Sequence, residues 1–234
     1  MNLLQSHDYE QLSAYEWLIG VDEAGRGCLA GPVTAGACLL GRKFFTSTEA
    51  VELSAAINDS KQLSANVRTT QFAVINNLRD QSLLDFEVAS SSVEEIEALN
   101  ILGATRLAMR RAVEGLAIRA SGLELPTSAT EGPLFPPASR LCILVDGRPL
   151  KPFPYAHTGL IKGDSKSLAI AIASIAAKVV RDREMNKLAE KYPGYFFEKH
   201  KGYGTALHRD ALRKHGVLTI HRKLFLRKIL SSSF

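Results

Sequence analysis

A chain of 234 residues with 46% apolar content can bury one substantial core, and nothing in it marks a second full domain or an internal repeat. The formal charge of +5 points to an anionic partner without defining one. Three cysteines without CxxC spacing argue against a disulfide framework, and the polar, acidic opening "MNLLQSHDYEQLSAYEW" against a secretion signal or membrane anchor, so a monomer in the cytoplasm is expected.

Residues 17–22, "WLIGVD", read as a short apolar strand, and 31–40, "GPVTAGACLL", as a second strand entered through a glycine-rich turn. Residues 82–92 alternate well enough for a third. From Val93 to about Ala120 the pattern becomes helical, with Ile96, Leu99, Leu107, Val113 and Leu116 available for an inner face. Ser92 followed by Glu95 has the spacing of a capping box, in which each side chain satisfies an orphan amide at the helix start. Residues 121–140 carry four prolines among small polar residues and predict a surface loop. "LCILVDG" (141–147) is a buried-strand run ending in an aspartate, and 164–192 is the longest helical pattern. A basic loop, "KHKGYGT" (199–205), leads into short amphipathic helices. Strands followed by strands alternating with helices imply an α/β fold, a mixed sheet flanked by helices. The expected organisation is one catalytic domain over 1–234, with a core of about 15–192 and a C-terminal helical extension of about 193–234.

The chemistry gathers around "VDEAGRG", residues 21–27. Neighbouring side chains of a regular strand point to opposite faces, so Asp22 and Glu23 can serve one site only where the strand ends. Gly25 and Gly27 supply a turn there. Taken alone the heptad is equally an ordinary solvated turn. The glycines match neither GxGxxG nor a P-loop, and carboxylates beside a phosphate loop would repel its ligand. A divalent cation such as Mg²⁺ or Mn²⁺ removes that contradiction, because it takes oxygen ligands and bridges carboxylates to phosphate oxygens. Asp146 also closes a strand, although Asp-Gly pairs are commonly just turns. Asp182 lies on a helical stripe with Ile175 and Lys178, where a salt-bridged solvent face is the alternative reading. Four acids converging on one sheet edge would repel strongly, whereas two bound cations make them a site for in-line phosphoryl displacement.

With "GVDEAGRG" and "LAGPV" stand "DSKQLS" (59–64), "VDG" (145–147), "KGDSKS" (162–167), "ASIAAKVVRD" (173–182) and "HKGYGT" (200–205). These motifs, in this order, resemble ribonuclease HII, the type 2 ribonuclease H family. The resemblance implies a ribonuclease H-like fold with a C-terminal helical extension. It implies endonucleolytic cleavage of the RNA strand of RNA–DNA hybrids, and nicking 5′ of single ribonucleotides in duplex DNA, with 5′-phosphate and 3′-hydroxyl products. Asp22, Glu23, Asp146 and Asp182 then match four acids holding two divalent cations, Mn²⁺ or Mg²⁺. Gly25, Arg26 and Gly27 match a loop whose backbone contacts the ribose 2′-hydroxyl, and Tyr203 a tyrosine packing on the following deoxyribose. Lys61 and Lys162 match basic positions near the substrate. Cys28 departs from the family's usual proline after this loop, leaving the acids and amides intact. The rivals are a binding protein of the same fold that cuts nothing, and a nonspecific metal-dependent nuclease.

Overall fold

The structure is a computed structural model that describes residues 1–57, 63–120, 123–127 and 140–230. A helix α1 (Leu3–Gln11) precedes the long antiparallel pair β1 (Trp17–Ala24) and β2 (Val33–Gly41). Three helices follow, α2 (Arg42–Thr46), α3 (Thr48–Leu53) and α4 (Ala65–Asp80), and then β3 (Leu84–Ser91) pairs antiparallel with β2. After α5 (Val93–Arg119), strands β4 (Leu141–Asp146) and β5 (Thr158–Leu160) add in parallel beyond β1. The five-stranded sheet therefore has the order β3-β2-β1-β4-β5. A 3₁₀ turn (Gly163–Ser165) leads into α6 (Leu168–Lys191), and α7 (Phe197–His200), α8 (Ala206–His215) and α9 (Lys223–Leu230) form the C-terminal extension.

Helices cover both faces of the sheet, so β1 and β2 are buried almost end to end instead of alternating in exposure. One face carries Leu18, Cys38, Leu40, Cys142 and Leu144 against α6 and the helices beyond it. The other carries Ile19, Val21, Ala35, Ala37, Ile143 and Val145 against Ala108, Ala112, Val113 and Leu116 of α5. Small residues let α6 lie directly on the sheet. A Cβ on Gly20 would fall 2.3 Å from the Ala169 backbone carbon, and one on Gly36 would fall 2.2 Å from the Ala173 carbonyl oxygen. The three cysteines are buried and free, as core residues.

The capping box forms, with Glu95 N donating to Ser92 Oγ at 3.2 Å and Ser92 N to Glu95 Oε2 at 2.9 Å. The expected inner face of α5 holds only in part. Asn100 breaks the helix at φ 58°, and its Oδ1 accepts from the amides of Leu102 (3.0 Å) and Gly103 (3.2 Å), capping a fresh helical start. The helical phase slips there, so Leu99 is exposed and Leu107 only half-buried while Ile96, Val113 and Leu116 are buried. The expected loop 121–140 lies mostly outside the described residues. Its described part turns back onto the core, with Leu123 and Leu125 packed beneath α5's cluster and Thr127 bridging Tyr155.

Candidate active site

Register and alternation bring the first two acids together. Leu18 pairs with Cys142 across the parallel strands β1 and β4, and both face α6. Four residues further along each strand, Asp22 and Asp146 fall on that same face, at the carboxyl ends where ligands of open α/β sheets gather. The turn before α6 then closes over them. Gly147 N donates to the Leu160 carbonyl at 2.9 Å, and Gly163 N donates to Asp146 Oδ1 at 2.7 Å. Gly163 is required for this approach, since a Cβ would meet Ile170 Cδ1 at 2.6 Å and Asp146 Oδ1 at 3.3 Å. The next residue, Asp164, is thereby pushed into the site. Oxygens of Asp22, Asp146 and Asp164 lie within 4.8 Å of one another. Asp22 is 1% exposed and Asp164 4%.

Three carboxylates this close repel when ionised, and burial increases the cost of their charge. A divalent cation relieves both penalties. An all-carboxylate donor set suits hard ions such as Mg²⁺ or Mn²⁺, and would serve a soft metal poorly.

The other sequence-derived candidates sit around this trio. Glu23 follows Asp22 on the strand end, but its Oε1 accepts from Arg26 Nη1 at 2.9 Å and it is outside the acid group. Asp182 is also outside it, held by Lys178 Nζ at 2.6 Å in an i,i+4 ion pair on α6. Asp164 stands in the group, a residue not among the four acids expected from the sequence. Lys162 is exposed in the left-handed region (φ 56°), two residues before Asp164. Lys61 lies outside the described residues.

Gly25, Arg26 and Gly27 line a cleft of about 190 Å³ together with Glu23, Ser174, Lys178 and Tyr203. Gly25 has φ +90°, and a Cβ there would strike Arg181 Nε at 1.9 Å, so only glycine fits. Tyr203 is 42% exposed, with Lys178 Nζ 5.9 Å from its ring centroid. Burial of its inner part and the nearby Cys28 thiol raise its hydroxyl pKa. A larger cavity of about 740 Å³, lined by Pro32, Ser92, Arg111 and Glu184 among others, contains none of the three acids. The smaller cleft is the one that adjoins the acids, because Glu23, the residue after Asp22, lines it. His200 and His208, which flank the tyrosine loop, are buried structural residues. Their rings stack at 4.4 Å, and His208 Nε2 lies 3.1 Å from Nε2 of His221.

Paired acids at the ends of adjacent strands, with a glycine loop beside them, mark a candidate metal-binding site on an α/β fold. The family model for ribonuclease HII matches residues 19–228, and on that match the chain belongs to the ribonuclease HII family. Ribonuclease HII of Fusobacterium nucleatum is 44% identical over 233 residues, covering 99% of this chain and 94% of that protein. Among solved structures, ribonuclease H2 of Pyrococcus horikoshii OT3 superposes with a TM-score of 0.61 at 24% identity, covering 92% of this chain and 98% of that one. Bst-RNase HIII in complex with Mn²⁺ superposes with a TM-score of 0.63 at 18% identity, covering 95% and 71%. At these identities the two structures establish the ribonuclease H-like fold. Family membership makes the chain a metal-dependent endonuclease that cleaves the RNA strand of RNA–DNA hybrids. Among the described residues no helix is long and apolar enough to cross a membrane.

Proposed function

We propose that this enzyme, besides cutting hybrids, nicks duplex DNA 5′ of a single embedded ribonucleotide, using two Mg²⁺ or Mn²⁺ ions and leaving 5′-phosphate and 3′-hydroxyl ends. The observation that carries this reading is one end of β1, where Asp22 of the acid trio is followed by Glu23, which lines a cleft with the Gly25–Gly27 loop and Tyr203. The donor set of oxygens fits these ions, and a fold neighbour is solved with Mn²⁺. Bound cations supply a water of lowered pKa and stabilise the charge developing on the leaving oxygen.

In this reading Asp22, Asp146 and Asp164 hold the cations, with Glu23 completing the set from the cleft side. Asp182 has a different part: it anchors Lys178, whose ammonium faces the Tyr203 ring. The loop's exposed main-chain groups recognise the 2′-hydroxyl, which is both donor and acceptor and separates RNA from DNA. Tyr203 offers its ring to the next sugar. Arg26 and Lys162 contact the phosphate backbone, positioning the duplex without reading sequence. The test is incubation with Mg²⁺ or Mn²⁺ and a duplex DNA bearing one ribonucleotide, beside an all-DNA control. Selective nicking 5′ of the ribonucleotide is expected. An uncut ribonucleotide duplex, or cutting of both duplexes, overturns the reading.

A further inference from the structure

Two fully buried arginines stand behind the Gly25–Gly27 loop. Arg181 of α6 donates through Nε to the Pro32 carbonyl at 3.0 Å, through Nη1 to Lys201 at 2.9 Å and through Nη2 to Ala30 at 3.2 Å. Arg222, just before α9, donates through Nε to the Gly31 carbonyl at 3.0 Å, through Nη1 to Arg26 at 2.9 Å and through Nη2 to Pro32 at 3.0 Å. All six contacts go to main-chain oxygens. A buried cation is a poor way to gain stability, because desolvation costs several kcal/mol that an apolar side chain would not incur. What a guanidinium adds is geometry: a planar fork that fixes several acceptors at once.

The acceptor that matters is the Arg26 carbonyl. A trans peptide is planar, so its carbonyl and the following amide point in opposite directions. With the Arg26 oxygen turned inward to Arg222, the Gly27 N–H is turned outward, towards the cleft. Gly27 lines the cleft, and nothing lies within 4 Å of where its Cβ would be, so a ligand can approach the residue closely. The segment around Arg222 reinforces this orientation. Arg222 N donates to the Leu29 carbonyl at 2.8 Å, Gly31 N donates to the Ile220 carbonyl at 2.9 Å, and Ala30 and His221 form an antiparallel bridge.

We infer that Arg222 is a positioning residue for ribose recognition, its fork setting the Arg26–Gly27 peptide so that the Gly27 amide meets the 2′-hydroxyl of the substrate. This rests on the ribonucleotide-nicking reading given above. Burial lowers the Arg222 pKa to about 10, which leaves it cationic at neutral pH. A lysine there keeps the charge but loses the fork, and cannot span three carbonyls.

The test compares wild type with Arg222→Lys in the full chain. The readouts are steady-state nicking of the single-ribonucleotide duplex, the Kd for an all-DNA duplex, and the rise in unfolding temperature on adding Mn²⁺. The expected result is a KM for the ribonucleotide duplex raised about 100-fold, the effect of a displacement near 1 Å at a recognition group. The all-DNA Kd and the Mn²⁺ response are expected to stay unchanged. A KM within about twofold of wild type, or equal losses on both duplexes, overturns the inference. Should Arg222→Lys fail to fold, Arg222→Gln, which keeps amide donors without the three-way fork, is read by the same three measurements and against the same outcomes. A wild type that nicks neither duplex sinks the functional reading itself, and is distinguishable from either result.

Discussion

The acid end of the sheet and the block behind the loop both bury charge, and they balance it in opposite ways. At the sheet end, carboxylates of Asp22, Asp146 and Asp164 crowd one another in a donor set that a divalent cation fits. Behind the loop, Arg181 and Arg222 are met by main-chain carbonyls of the chain itself. The imidazoles of His208 and His221 are kept neutral, their pKa values lowered to about 4 chiefly by burial, and burial lowers that of His200 as well. Buried charge therefore does not by itself mark a site. What marks one is several carboxylates of one sign brought within reach of a single ion.

The largest effect expected from this contrast separates two aspartates. Asp164→Asn should lower kcat on hybrid by about 1000-fold or more, as loss of a metal ligand does, whereas Asp182→Asn should cost less than about tenfold. Equal losses in a hybrid-cleavage assay would remove the distinction between a cation ligand and a lysine anchor. Next is the cation itself. Mn²⁺ at 100 times its Kd should stabilise the wild type by about 2.7 kcal/mol. For a chain of this size that is a rise of about 8 °C in unfolding temperature. Asp22→Asn should lose that rise and, with EDTA present, should melt above the wild type, because one repelling charge is gone. A cation-free variant melting below wild type would count against crowded like charges.

The smallest effect belongs to the histidine block. His208 and His221 titrate near 4 when folded and near 6.5 when unfolded, so the unfolded chain binds more protons throughout that window. Stability is then unaffected by them above about pH 6.5 and falls as pH drops towards 4, with uptake of about two protons on unfolding. Denaturant titrations across this range read the slope, and His208→Gln should roughly halve it. A flat profile would show that these imidazoles are not held neutral.

Much of this architecture is visible in the residues, and the gaps have physical causes. Strands 17–22 and 141–147 stand out because apolar runs end abruptly in acids, which places Asp22 and Asp146. Asp164 is hard to see because its turn merges with the helical pattern of α6, although Gly163 beside it is an available signal. Asp182 stood out by its helical stripe, yet the same spacing already offered Lys178 as its partner. Helix α4 is not legible in the sequence because Asn66, Thr69, Thr70, Asn76 and Asn77 are weak helix formers, despite the inward spacing of Phe72, Ile75 and Leu78. At three residues, β5 is too short to show a period. Arg181 and Arg222 look like surface charges in "RDRE" and "HRK", since no local pattern distinguishes an arginine that finds its acceptors far away in sequence.

Arg26 and Arg222 are 196 positions apart, and they meet in one hydrogen bond. Under the proposed reading, the turn that meets the ribose is held in place by almost the last segment of the chain to be made. A C-terminally clipped protein would then lose discrimination between ribose and deoxyribose through a cut far from the acids.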